Sequence, residues 1–341
     1  MSRLSNGAAI PVAEPAAAVV LLAIDPGGLG GAVLRSRPGP ARDRWLAELR
    51  RLLPEDAPYV RVPVSVPHDR LLGGLDFGAT MANGRPVYAK GLLEAAHGGV
   101  VGLSMAERLT PSTAAIIAAA CDDGELNIER DGARRQVAAR FGVIAFDEGL
   151  EAEEQVDAAL SERLAFFLRP DETAAAGLLA DDWDRPAIAG ARRRLADVVL
   201  PDAPMELLVH VASAFGIGSM RAVNLAARCA KAAAAATGVD RVTEEHVRLA
   251  AQLVYPQRAT RLPAENEQDQ PPPPDTDDEP PDERASNDRN ELPDDIVIDA
   301  VRANVPDGLL DVLEARRLRR QSQTAGSRGG PKSRSRHRGR P

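Results

Sequence analysis

The residues best placed for chemistry lie within 91–130. A small-residue turn, His97-Gly98-Gly99, precedes the apolar run Val100, Val101, Leu103 and Met105, which closes on Ala106-Glu107. Thr110-Pro111 then opens a helix. An apolar strand ending in two acids can serve phosphate chemistry at the carboxyl end of a sheet, where such sheets place their ligands. The first acid would hold Mg²⁺ and the second would polarise the attacking water. Here the first position is Ala106 and only Glu107 remains, so the site reads as one whose metal ligand has been removed.

A second constellation lies upstream. Residues 16–24 are uniformly apolar with a Val-Val-Leu-Leu centre, which predicts a buried parallel strand. They run into residues 25–31, DPGGLGG, and then towards a helix over 41–53. Strand, glycine loop, helix is the layout that cradles phosphate. A working loop needs a Lys on the β/γ-phosphates and a Ser or Thr on Mg²⁺. Placed against Gly28 and Gly30, those positions become Gly31 and Ala32, which carry no side-chain donor. Bare glycine amides attract an anion only weakly. The plainer alternative is a glycine turn joining strand to helix.

The elements that must position these residues follow from spacing. Residues 59–66 alternate like a strand, and residues 69–91 form a glycine-punctuated loop with one short helix. Ala114, Ile117, Ala118 and Cys121 keep the spacing of a packed helix capped by Thr110. Leu126 and Ile128, with the turn Asp131-Gly132, predict a hairpin. Residues 141–146 are a further apolar strand. From Pro170 strand patterns stop, and helices are expected near 187–198, 204–215, 219–236 and 243–254. An α/β block followed by a helical block predicts a parallel-sheet core with a helical lid.

Several motifs in collinear order carry a resemblance. GLDFGATMANGRPVYAKGLLEAAHGGVVGLSMAERL, GELNIERDG, FGVIAFDEG, LSERLAFFL, SMRAVNLAARCAKA and VTEEHVRLAAQLVYPQR together resemble the AAA+ module of magnesium chelatase over about residues 16–258. The likeness is to the degenerate D subunit more than to its ATPase partner, the I subunit. It implies a P-loop-type AAA+ core and a non-hydrolytic platform in a ring with the I subunit. That ring drives the H subunit to insert Mg²⁺ into protoporphyrin IX on the route to (bacterio)chlorophyll. ATP and Mg²⁺ would be handled by the I subunit, with weak or no nucleotide binding here. The matching sensor-1 position is Ala145 or Phe146, both suited to packing. Arg163 matches an arginine finger offered in trans, with a surface salt bridge to Glu162 or the 151–154 acids as the alternative. Arg221 matches a sensor-2 arginine at the start of a lid helix, with an ordinary helix-surface role as the alternative. A self-sufficient ATPase of the MoxR/chelatase-like group would need Lys and Ser at Gly31 and Ala32 and Asp at Ala106; a stand-alone scaffold is the other reading.

Composition bounds the rest. The chain has 341 residues, few aromatics (3%) and a net charge of −8 that is unevenly spread. Residues 1–15 are a polar lead-in, 16–169 the α/β core and 170–258 the lid. Residues 259–295 form a Pro-rich acidic linker, 296–320 a helical segment and 321–341 a basic tail. Order is expected to end near Arg258, with a disordered arm beyond. The tail lacks interleaved aromatics and a folded nucleic-acid module, so no nucleic-acid partner is expected. The resemblance implies a metal-binding integrin-I-like domain after the linker, and its DxSxS motif does not occur in these residues. Cys121 and Cys229 fit buried small hydrophobes, and His68, His97, His210 and His246 lack metal-ligand spacing. No apolar run is long enough for a bilayer span, and a cytoplasmic location is expected.

Overall fold

A computed structural model describes residues 14–130, 133–151, 153–170, 183–263 and 293–304. Its centre is a five-stranded parallel sheet in the order β2-β3-β6-β1-β7. The strands are β1 (Gly31–Arg35), β2 (Tyr59–Val62), β3 (Val100–Leu103), β6 (Gly142–Asp147) and β7 (Phe166–Leu168). β4 (Glu125–Arg130) and β5 (Ala133–Ala138) form a separate antiparallel hairpin. The chain leaves β1 for the far edge at β2, returns through β3 and β6, and finishes beyond β1 at β7. The strand order therefore reverses around β1, where open α/β sheets bind ligands at the carboxyl ends.

The most buried segment is not the expected strand. Residues 16–24 lie in helix α1 (Glu14–Ile24), and every one of them is 3% exposed or less. Periodicity cannot separate a strand buried on both faces from a helix buried all round. The three alanines at its start favour the helix. The helix packs on α2 (Pro40–Leu52), β7 and the lid, so α1 is the shared core of both blocks. Trp45 of α2 anchors its start by donating from Nε1 to the Pro15 carbonyl at 2.9 Å. Arg192 receives its end, donating from Nε to the Ala23 carbonyl at 2.8 Å. Burial lowers the Arg192 pKa, and Asp25 works against that shift.

Between β2 and β3 lie α3 (His68–Leu72), α4 (Phe77–Asn83) and α5 (Leu92–Ala95). Helix α6 (Pro111–Asp123) is capped by Thr110, whose side chain accepts from the Thr113 amide, and ends at the left-handed Gly124. The short α7 (Ala158–Ser161) precedes β7. The lid comprises α8 (Arg185–Leu195), α9 (Asp202–Ala214), α10 (Met220–Thr237) and α11 (Glu244–Val254). Its alanine-rich α10 lets neighbours approach closely, and Cys229 is buried there. Arg258 ties lid to core. It donates from Nη1 to the Ala165 carbonyl at 3.1 Å and lies over the Phe167 ring at 4.9 Å. Burial pulls its pKa down to about 10 against the opposing pull of Glu162 and Tyr255.

Order does not end near Arg258. Helix α12 (Pro293–Arg302) returns to pack on α9 and α11, with Val297 and Val301 buried. An amphipathic face found a lid surface to cover, which composition alone did not reveal. Residues 264–292 and 305–341, which hold most of the expected linker and the whole expected tail, lie outside the described residues.

Candidate functional site

The carboxyl ends of β1, β3 and β6 are where a P-loop core would hold nucleotide. The loop that joins β1 to the start of α2 is 36–39, so this loop occupies the phosphate-cradling position. The expected placement at Gly28, Gly30 and Gly31 is corrected: those glycines turn α1 into the amino end of β1. The misassigned helix 16–24 shifted the whole pattern by one element. Gly30 and Gly31 are needed there for close approach. At φ +70 and +131, an added Cβ would meet the Arg163 and Val143 carbonyl oxygens at 1.9 and 1.8 Å. Asp25 fixes the turn by accepting from the Gly28 amide at 2.9 Å.

The loop in the phosphate position is poorly made for an anion. Pro38 and Pro40 lack amide donors, and the loop and first turn of α2 contain no Lys. Two flanking arginines, Arg35 and Arg42, turn onto the protein's own carboxylates, while Arg37 within the loop is exposed. Arg35 donates from Nη1 to Asp147 at 3.2 Å and to the Glu154 carbonyl at 3.1 Å, and from Nη2 to the Glu151 carbonyl at 2.8 Å. Asp147 is 3% exposed. Arg42, in the first turn of α2, pairs with Glu148 at 2.8 Å and covers the Phe146 ring at 4.8 Å. Glu107 is not poised over water. Its side chain is 1% exposed and accepts from the Glu148 amide at 3.0 Å. It is turned inward by Met105, whose left-handed φ of 50 is the one such non-glycine conformation among the described residues. Ala106 is buried beside it. Ser36 Oγ is buried there with no hydrogen-bond partner. ATP with Mg²⁺ does not fit this set: the loop has no Lys, position 106 has no acid, the loop's one hydroxyl, Ser36 Oγ, is buried, and Arg35 and Arg42 already pair with Asp147 and Glu148.

A different site lies at the other end of the sheet. Arg163, just before β7, and Arg221, in the first turn of α10, converge on Asp122 at the end of α6. Arg163 donates from Nε to Asp122 at 2.8 Å and from Nη2 to the same oxygen, and Nη1 reaches the Ala159 carbonyl. Arg221 donates from Nη1 to the other Asp122 oxygen at 2.5 Å. Burial pushes the Asp122 carboxyl up, but hydrogen bonds from both arginines outweigh it and hold the pKa below the ordinary range. The trio lines a cleft of about 480 Å³, together with Gly28, Arg140 and Arg228. Thus the expected partners of Arg163, Glu162 and the 151–154 acids, are replaced by a residue 41 positions upstream. The two arginines singled out by the sequence come together; Glu107 stands apart at the opposite end. By strand rise alone, the two ends of β1 are roughly 13 Å apart. Asp122 was missed because its role depends on long-range contacts. Its one local signal was an acid in the last turn of a helix, where the dipole disfavours negative charge.

Among the described residues no cluster could hold a metal ion, and no helix is long and apolar enough to cross a membrane. Cys121 is partly buried, and burial followed by Asp122 pushes its thiol up to about 12. His246 is structural. It accepts at Nδ1 from the Thr243 amide at 3.1 Å, while Nε2 lies 3.0 Å from Thr237 Oγ1.

Comparison with known proteins agrees with this architecture. Residues 205–283 match the family model of the AAA lid domain. The chain is 38% identical to the magnesium-chelatase 60 kDa subunit of Cereibacter sphaeroides over 95% of its own length and 55% of the relative's. It is 31% identical to the 67 kDa subunit of Chlorobaculum tepidum, over 72% of this chain and 42% of that one. The 38 kDa subunit of Cereibacter sphaeroides is 24% identical, over 72% of this chain and 89% of the relative. The chain thus spans about half the length of the large subunits it matches. A crystal structure of a candidate ATPase from Cytophaga hutchinsonii superposes with a TM-score of 0.55 at 15% identity, over 71% of this chain and 81% of that one, a likeness of fold. The chain thus has an AAA+ fold with an AAA lid domain, and in sequence it is similar to magnesium-chelatase subunits, at higher identity to these large subunits than to the 38 kDa one.

Proposed function

We propose that this chain is the AAA+ part of a non-hydrolytic D subunit of magnesium chelatase. It assembles in a ring with an I-type ATPase subunit and, with the H subunit indirectly, supports ATP-driven insertion of Mg²⁺ into protoporphyrin IX. The observation that carries this reading is the separation of the two ends of the sheet. The chain's own nucleotide position is filled by Arg35–Asp147 and Arg42–Glu148. Arg163 and Arg221 line a separate cleft at the other end of the sheet, which supports a role toward a nucleotide held by a neighbour.

The chemistry follows from what each group can do. A guanidinium is permanently charged and grips phosphate through two parallel N–H bonds. Offered across a subunit boundary, Arg163 would neutralise charge building on the neighbour's γ-phosphate, and Arg221 would hold a second oxygen. Without a Lys at its own loop, and with Glu107 turned onto the Glu148 amide, the chain is poorly equipped to activate water on its own account. The large subunit therefore acts as a platform, and hydrolysis belongs to its partner.

The test is co-purification with an I-type subunit, with and without ATP, alongside an ATPase assay of the chain alone. The reading expects ATP-dependent association and no hydrolysis by the isolated chain. Robust hydrolysis by this chain alone would refute it.

A further inference from the structure

We propose that Asp122 is an intramolecular latch that occupies the phosphate-binding edges of Arg163 and Arg221 until an anionic ligand displaces it. The inference rests on the reading that these arginines serve a neighbour's nucleotide, and adds how they are controlled. The geometry is specific. A guanidinium binds phosphate bidentately through an edge such as Nε with Nη2. In Arg163 that edge is spent on Asp122, and Nη1 is spent on the Ala159 carbonyl. Arg221 meets the same carboxylate with Nη1 at 2.5 Å and Nη2 at 3.5 Å. The two oxygens of Asp122 therefore stand where two oxygens of a terminal phosphate would stand.

The placement of Asp122 makes little sense as helix chemistry. It sits with Asp123 in the last turn of α6, next to the negative end of the helix dipole. An acid there is unfavourable unless nearby cations repay it, and the two arginines do so. The remainder of the cleft wall carries two more arginines, Arg140 and Arg228, against one more acid, Asp123, and Arg228 is only loosely engaged, 3.6 Å from Asp25. A multiply charged phosphate entering this cleft meets more positive charge than Asp122 alone can hold, so it wins the exchange. A monoanion gains much less. The latch thus selects for polyphosphate and keeps the arginines from pairing with stray carboxylates.

The magnitude can be bounded. A unit charge about 4 Å from a bound anion changes its affinity by roughly fivefold in a water-like medium and up to about a thousandfold in a protein-surface medium. Asp122→Asn keeps the size of the side chain and removes the charge. It also relieves the unfavourable dipole contact, so the fold should survive.

The experiment has two arms, both with the full chain. In the first, inorganic triphosphate is titrated into wild type, Asp122→Asn, and the Asp122→Asn/Arg163→Ala double variant by calorimetry. The Asn variant is expected to bind at least tenfold tighter than wild type, and the double variant to lose that gain. Equal affinity of wild type and Asn variant, or a gain that survives in the double variant, overturns the latch. In the second arm, an I-type ATPase is titrated with wild type, Asp122→Asn and Arg163→Ala. The Asn variant should reach its half-maximal effect at a lower concentration than wild type. A loss of effect with Arg163→Ala but a weaker effect with Asp122→Asn would make the aspartate an organiser and overturn the latch while leaving the trans reading intact. No change with Arg163→Ala would remove the trans reading itself, and the first arm would still decide whether Asp122 gates the arginines.

Discussion

At the carboxyl end of the sheet, Arg35 and Arg42 turn inward onto Asp147 and Glu148; at the amino end, Arg163 and Arg221 share Asp122 on the wall of an open cleft. The ingredients are the same and the settings differ. Asp147 and Glu107 are almost wholly buried, and each is held by backbone amides as well as by arginine. Asp122 and Arg221 are partly exposed, and the cleft beside them has room for a ligand. Buried pairs that fill their own seat fix a fold; half-exposed pairs beside a cavity can exchange partners. One end is closed on its own ion pairs, while the other faces an open cleft.

If that contrast is right, breaking the two ends should have opposite signatures. Asp147→Ala leaves Arg35 facing a buried gap and orphans the Gly149 amide. Loss of one member of a buried ion pair costs on the order of 3–5 kcal/mol; Arg35 is partly exposed, so about 3 kcal/mol is expected from denaturant unfolding. A cost near zero would mean that the carboxyl-end cluster is not what holds those strands.

Ala106→Asp restores the missing metal ligand by name only. The site is buried against Glu107, so the new carboxyl would stay protonated and should cost about 2 kcal/mol as an unpaired buried polar group. No hydrolysis should appear, because groups that act on one transition state fail together. Measurable ATP turnover by this single variant would show that the carboxyl end is dormant rather than lost.

Arg163 is no more exposed than Arg35, but its acceptor Asp122 keeps water and Arg221 as partners where Asp147 is buried, so Arg163→Ala should cost less, about 1 kcal/mol. A thermal or denaturant shift well beyond that would place Arg163 among the structural arginines, alongside Arg35.

The smallest effect is a pH dependence in the lid. Burial lowers the pKa of His246 below 6.5, against a weaker opposing pull from Glu245. A neutral ring accepts the Thr243 amide at Nδ1; a protonated ring cannot. The unfolded chain therefore binds the proton more readily. Stability should be full above pH 6.5 and should fall as pH drops through the folded-state pKa. His246→Gln should flatten that part of the profile, and an unchanged profile would remove His246 as its source.

Much of this was legible in the residues. The strand at 100–103, the hairpin pairing Leu126 with Val137, and the helix capped by Thr110 follow from period and capping, which are local. The lid helices follow from spacing and alanine content. Residues 16–24 failed because an all-apolar run has no face to read, and that failure carried Gly28, Gly30 and Gly31 to the wrong end of the sheet. Once the helix is recognised, residues 36–39 become the phosphate-position loop, and Pro38 within it and Pro40 after it leave it short of amide donors as well as without a lysine. Arg163 and Arg221 were found through the resemblance. Their meeting at Asp122 was not legible, because contacts spanning 41 and 99 positions leave no local pattern.

The central claim is that this chain lends arginine to a neighbour while its own nucleotide position is shut. The most direct test is the steady-state ATPase rate of an I-type subunit titrated with wild-type chain or with Arg163→Ala. An arginine supplied in trans contributes on the order of 10³–10⁵ in rate where the whole reaction depends on it. The account predicts that the mutant binds the partner as wild type does but loses the change in ATPase rate that wild type produces. Identical titration curves for the two chains would contradict it.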